Sequence, residues 1–104
     1  MIRAEFFESK GIMEGFKVSG HAGYSENGSD IVCAAVSSAV QLTANTLDVF
    51  VGCNADVNES DNSIKCFAET AGSDSEKIIR SLMLHLEAVS EEFPKTIKIT
   101  ISEV

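Results

Sequence analysis

Two residues in the first third of the chain have the types and separation that nucleophilic catalysis needs: His21 and Cys33, in the stretch HAGYSENGSDIVCAAVSS of residues 21–38. A cysteine attacks as its thiolate, a form favoured at a helix N-terminus or beside an imidazolium. Cys33 stands at the head of an apolar run that reads as a helix. With Asp30 as its cap, the thiol falls on the third helical residue, near unpaired backbone N–H groups that can also hold the oxyanion of an attacked carbonyl. His21 closes a strand, and the eleven residues between it and Cys33 are enough to return the imidazole to the thiol. There it can take the thiol proton and later give one to a leaving amine. Asp30 or a backbone carbonyl can orient the ring, although a carboxylate so close opposes ionisation of Cys33.

The same residues admit other readings. A lone cysteine near an apolar helix is more often a small core residue, and spacing does not prove that His21 and Cys33 meet. The core reading is kept for Cys53 and Cys66, and His85, inside a second helix, is read as structural. The glycines of GHAGYSENGSD could offer amides to a phosphate, but the stretch is no GxxxxGK[ST] loop, and it carries Glu26 and Asp30 without a Lys or Arg. A zinc site from His21, Cys33, Cys53 and Cys66 lacks the close ligand pairing of structural zinc. No metal and no cofactor is expected.

The elements that must position these residues follow from periodicity. IRAEFFE alternates with Ile2, Ala4 and Phe6 on one side, GFKVSG pairs Phe16 with Val18, and Ser9-Lys10-Gly11 between them supplies a turn. Gly23, Asn27, Gly28 and Ser29 predict a loop, with Ser29 or Asp30 capping a helix over 30–52 that ends near Gly52. Val32, Val36, Ala39, Val40, Thr43, Leu47 and Phe50 form its core stripe. Ile31, Ala35, Leu42, Val49 and Val51 lie on its other faces, so a second subunit is expected to cover part of it. ADVNES and SIKCFAE, joined around Asp61-Asn62, read as a second hairpin with Ala55, Val57, Ile64, Cys66 and Ala68 inward. Ser73 and Glu76 have capping-box spacing, and Ile79, Leu82, Met83, Leu86 and Val89 repeat at helical intervals up to Pro94. TIKITI supplies a last strand. The predicted order is ββαββαβ, an α/β class α+β sandwich with helices on a mixed or antiparallel sheet.

Composition bounds the rest. The 104 residues suit one domain, residues 1–104. A net charge of −8, with eight Lys and Arg scattered along the chain, argues against a duplex-binding surface and allows a basic protein partner. No direct nucleic-acid partner is expected. Three cysteines without CxxC spacing, and an N-terminus without a signal-peptide pattern, point to the reducing cytoplasm. The most apolar segment, about 31–51, contains Ser37, Ser38, Gln41, Asn45 and Asp48, too polar for a membrane span.

With these residues in place, GHAGYSENGSDIVCAAVSS resembles the signature of the bacterial ribosomal-processing cysteine proteases, the Prp family. The match rests on Gly20-His21-Ala22, Gly28 and Asp30 to Ser37, and the rest of the chain agrees in length and element order. The resemblance implies an endopeptidase with Cys33 as nucleophile, His21 as base, and Gly20, Asp30 and Ser37 in support. It also implies a substrate: the precursor of the twenty-seventh protein of the large ribosomal subunit, a basic protein whose N-terminal extension is cut after a Phe-Phe pair. The loop of residues 22–29, with Ala22, Gly23, Tyr24 and Gly28, is expected to fold over that extension, with Tyr24 as a wall for an aromatic side chain. A homodimer is the expected assembly. The rival readings are a noncatalytic ribosome-associated module binding the same basic protein, and a thiol-dependent redox or acyl-transfer enzyme.

Overall fold

Alternation in the first twenty residues produces a hairpin of β1 (Ile2–Ser9) and β2 (Ile12–Ser19), paired antiparallel. Lys10 and Gly11 connect them with φ of 54° and 80°. Positive φ at both central positions is the mark of the two-residue turn whose twist suits a hairpin. The register then passes from Phe7↔Gly15 to Glu8↔Met13, a bulge that leaves Glu14 as the extra residue. It allows Met13 and Phe16, three apart, both to be fully buried. Strand β2 therefore begins three residues before the alternating stretch at Gly15 that the sequence reveals. The computed structural model describes residues 1–20, 26–58 and 62–104, with residues 26–30 and 58 described by their backbone.

Helix α1 (Glu26–Phe50) buries Val32, Val36, Val40, Thr43 and Leu47 along one stripe. The Thr43 hydroxyl is satisfied by donating to the Ala39 carbonyl at 2.8 Å. The helix starts four residues before the predicted 30, so Ser29 and Asp30 lie within it and are not its caps. Once a helix is nucleated each added residue gains a hydrogen bond, and a glycine such as Gly28 costs only about 1 kcal/mol relative to Ala. At the other end Gly52, with φ of 85°, donates to the Leu47 carbonyl at 2.7 Å and turns the chain into the next strand. Phe50, predicted in the core stripe, is 73% exposed because it is the last helical residue, beyond the covered turns.

The second hairpin, β3 (Cys53–Asn58) and β4 (Ser63–Ala68), leads to α2 (Ser73–Glu92) and β5 (Ile97–Glu103). The sheet order is β3-β4-β2-β1-β5, with β5 parallel to β1 and the other pairs antiparallel. This is a mixed sheet in the predicted order ββαββαβ, an α+β fold. Both helices pack on one face, where Ile79, Leu82, Met83 and Leu86 of α2 meet Phe6, Met13 and Phe16. Ala55, Val57 and Ile101 share the core-side face but stay exposed, Val57 to 63% and Ile101 to 52%, because β3 and β5 form the two edges.

The start of α2 uses different chemistry from the predicted Ser73/Glu76 capping box. Ser75 Oγ accepts the Gly72 N–H at 2.9 Å. Glu76 instead accepts the Met13 N–H beside the bulge and pairs with Arg80, which reaches Glu8 at 3.4 Å. The carboxylate thus ties α2 to the first hairpin. Among the described residues no helix is long and apolar enough to cross a membrane.

Candidate active site

Helical spacing puts Cys33, Val36, Ser37 and Val40 on adjoining positions of one side of α1, and all four line a single cavity of about 350 Å³. Cys33 is half-buried there and Ser37 is exposed at the opening. The sheet supplies the opposite wall with Val18 and Ile64, and the edge strand adds Val57. The lining is mostly apolar, with polar Ser19, Ser37, Asn62 and the buried Ser63 among it. A pocket of this make-up can take an apolar side chain next to a thiol, with a few polar groups to orient it.

Strand β2 ends at Ser19, and Gly20, with φ of 89°, follows it at the cavity wall. A Cβ on Gly20 would stand 2.7 Å from the Met1 carbonyl oxygen, so no larger residue fits without a backbone shift. Asn62, at the β3–β4 turn with φ of 54°, donates from Nδ2 to the Gly20 carbonyl at 3.2 Å. Two distant segments thereby fix the residue that precedes His21. His21, Ala22, Gly23 and Tyr24 lie outside the described residues, as does the Asp30 carboxylate. Gly28 is in the first turn of α1 and no longer part of a loop.

One expectation is corrected. Cys33 is seven residues past Glu26, the first residue of α1, and so two turns inside the helix. Backbone donors at that depth are taken by intrahelical bonds, and the field of a helix end fades within its first turn. Neither ionisation by the helix terminus nor an oxyanion hole from its free N–H groups therefore applies to Cys33. The early start of α1, hidden by the turn-like composition of ENGSD, is the cause.

The other candidate side chains fall elsewhere. Cys66 is fully buried in the core, and its thiol is pushed up to about 12, first by burial, then by the hydrogen bond and charge of Cys53, then by Asp48. Cys53 donates to the Ala44 carbonyl at 3.8 Å. Neither lines the Cys33 cavity. His85 is exposed on α2 and borders a separate groove between the helices with Ala35 and Leu42. Among the described residues no three His, Cys, Asp or Glu gather as a metal site. Ser19, Val57 and Asn62 belong to the site without having been singled out for it. Only the turn-forming Asp61-Asn62 pair gave a signal, and it spoke for a hairpin rather than a site.

The Streptococcus mutans protein SMU.848 has a solved structure that superimposes with a TM-score of 0.82 at 29% identity, covering 100% of this chain and 96% of its own. The ribosomal processing protease Prp of Staphylococcus aureus, solved with a covalently linked product peptide, gives a TM-score of 0.85 at 20% identity, over 98% of this chain and 100% of its own. By sequence, the ribosomal processing cysteine protease Prp of Staphylococcus aureus (strain Mu50 / ATCC 700699) is 27% identical over 86 residues, 79% of this chain and 80% of that protein. The profile of the family described as cysteine protease Prp matches residues 1–98, nearly the whole length, and the chain accordingly belongs to the Prp family of cysteine proteases.

Proposed function

We propose that this chain is the endopeptidase that removes the N-terminal extension of the twenty-seventh protein of the large ribosomal subunit, cutting after a Phe-Phe pair. The observation that carries the reading is the apolar cavity beside the Cys33 thiol, walled by Val18, Val36, Val40 and Ile64 and suited to an aromatic side chain. The Staphylococcus aureus relatives are ribosomal processing proteases, one solved with a substrate peptide.

In this mechanism His21 takes the thiol proton and Cys33 attacks the scissile carbonyl. The tetrahedral intermediate collapses to an acyl-enzyme as the imidazolium gives its proton to the leaving amine. Water activated by His21 then hydrolyses the thioester and frees Cys33. With the helix terminus too far away, ionisation of the thiol falls to the imidazole. Ser37, on the Cys33 face one turn on, holds the peptide backbone at the rim, Asp30 orients the imidazole, and Gly20 aims the segment that carries it. The segment of residues 22–29, with Ala22, Gly23, Tyr24 and Gly28, covers the bound extension, its last residues from the first turn of α1. No cofactor takes part. The enzyme works in the cytoplasm as a homodimer, a reading supported by the apolar Ile31, Leu42 and Val49 exposed on the outer faces of α1.

The test is cleavage of a peptide spanning the Phe-Phe junction by purified protein. Cys33→Ser and His21→Ala should each lower kcat/KM by on the order of 10³-fold or more while the unfolding transition stays cooperative. Full cleavage by Cys33→Ser refutes the mechanism. Binding of the peptide by the unaltered protein without hydrolysis refutes the activity and leaves a binding module.

A further inference from the structure

The face of the sheet opposite the helices has a charge the whole chain conceals. Through the paired register, Lys65 stands opposite Lys17 and Arg3 opposite Lys98, all on outward positions of adjacent strands. These are four of the eight Lys and Arg in a chain of net charge −8. The acids sharing their cross-strand rows are Glu5 and Asp56, and Glu5 already accepts the Ser102 hydroxyl at 2.8 Å. Among the described residues both ion pairs belong to Arg80, so none of the four cations is neutralised by a carboxylate within bonding distance.

The next row holds aromatic rings. Phe67 and Phe7 flank Gly15 in the register and stack on each other, centroids 5.0 Å apart at 23°. Gly15 makes the stack possible, since a Cβ there would stand 2.6 Å from the Phe67 ring. Both rings keep part of their surface in water, and the Lys65 ammonium lies 5.5 Å from the Phe67 centroid and 5.8 Å from that of Phe7. An acidic peptide would need only the cations. Partly exposed aromatic rings with a lysine over them, in a face whose cations have no carboxylate partner among the described residues, match the two components of a single nucleic-acid strand, unstacked bases and phosphates.

We propose that this open sheet face binds single-stranded RNA, its bases on Phe7 and Phe67 and its phosphates on Arg3, Lys17, Lys65 and Lys98. A duplex, with its bases stacked inside and twice the charge density, does not fit a flat face on so acidic a protein. The inference is independent of the peptidase reading, because the face lies across the sheet from the Cys33 cavity.

The experiment is a fluorescence-anisotropy titration of a labelled single-stranded RNA decamer with the full chain. Saturable binding is expected at about 50 mM salt, with a log–log salt slope approaching about −2.8 for four phosphate contacts. The double variant Lys17→Gln/Lys65→Gln should reduce the magnitude of that slope by about 1.4. Phe67→Leu, and separately Phe7→Leu as insurance against misfolding, should weaken binding roughly 5- to 150-fold with the salt slope unchanged. All variants should keep the cooperative unfolding transition. Absence of binding at low salt, equal affinity for a duplex of the same sequence, indifference to loss of either ring, or displacement by polyglutamate at matched charge would each overturn the proposal, the last in favour of an acidic protein.

Discussion

Replacing Gly20 with Ala joins a backbone constraint to the site, and a second glycine supplies the control. Gly11 and Gly20 both have positive φ, 80° and 89°. A Cβ on Gly11 meets nothing within 4 Å, whereas on Gly20 it stands 2.7 Å from the Met1 carbonyl oxygen. Left-handed backbone costs a residue with a Cβ about 1–2 kcal/mol, so Gly11→Ala should lose that much stability in a urea titration. Gly20→Ala carries the same cost plus overpacking against backbone, about 1–3 kcal/mol more. The excess should lower Tm by at least roughly 4 °C beyond the Gly11 variant. Relief of the clash must move the end of β2 off Met1, which draws the Gly20 carbonyl from Asn62 Nδ2 and shifts the backbone that leads into the base of the proposed mechanism. A displacement of about 1 Å at a catalytic group can reduce kcat/KM on the order of 10²-fold. Gly11→Ala, at the far end of the hairpin, should cleave peptide normally. Equal stabilities and equal activities for the two variants would refute the argument that Gly20 is held by Met1 and aims the segment after it.

Two further measurements probe the surroundings. Burial alone would raise the Glu76 carboxyl, but hydrogen bonds from Arg80 and the Met13 N–H, with the Arg80 charge, outweigh it and hold the group below its usual range. The folded state then binds fewer protons than the unfolded chain, so this stabilisation is complete above the ordinary value near about 4.3 and is lost as pH falls through the depressed one. Glu76→Gln should therefore cost about 1 kcal/mol at pH 7, a figure reduced for the partial exposure of Arg80, and progressively less in urea titrations below pH 4; a deficit that does not shrink in acid refutes the assignment. Cys66, with its thiol near 12 and no exposed surface, should stay unmodified by iodoacetamide at pH 8 while half-buried Cys33 and Cys53 are alkylated, as read by peptide mass; modification of Cys66 at the rate of the other two would contradict its burial.

Legibility in the sequence follows the range of the interactions. Helix α2 could be read because Ile79, Leu82, Met83 and Leu86 repeat on one face and Pro94 stops the run, all local signals. The first turn could be read from Lys10-Gly11 for the same reason. The bulge at Glu14 could not, since it exists only against the partner strand and breaks the alternation used to find strands. The start of α1 was hidden because Gly28 and its polar neighbours are poor helix formers individually, while the apolar run behind them makes extension cheap. At the site, the signature residues Gly20, Cys33 and Ser37 do line one cavity, but Asn62 enters from forty-two residues away through a hydrogen bond no local pattern encodes.

The placement of Cys33 two turns into α1 changes what the rest of the site must supply. A nucleophile at a helix end brings part of its own electrostatics, so its partner base can be loosely held. A thiol in mid-helix has only its position, fixed by Val32 and Val36 packed against the sheet on either side of it. In the proposed mechanism the proton acceptor and the donors for a developing oxyanion then come from another segment, and their accuracy depends on what anchors that segment. Here the anchor before His21 is built from backbone and one amide: the tight fit of Gly20 on Met1 and the Asn62 hydrogen bond. On the mechanism proposed above, strand β1, the β3–β4 turn and α1 must all be in place before the thiol meets His21, so that chemistry is conditional on long-range folding rather than on the local motif that first draws attention to it.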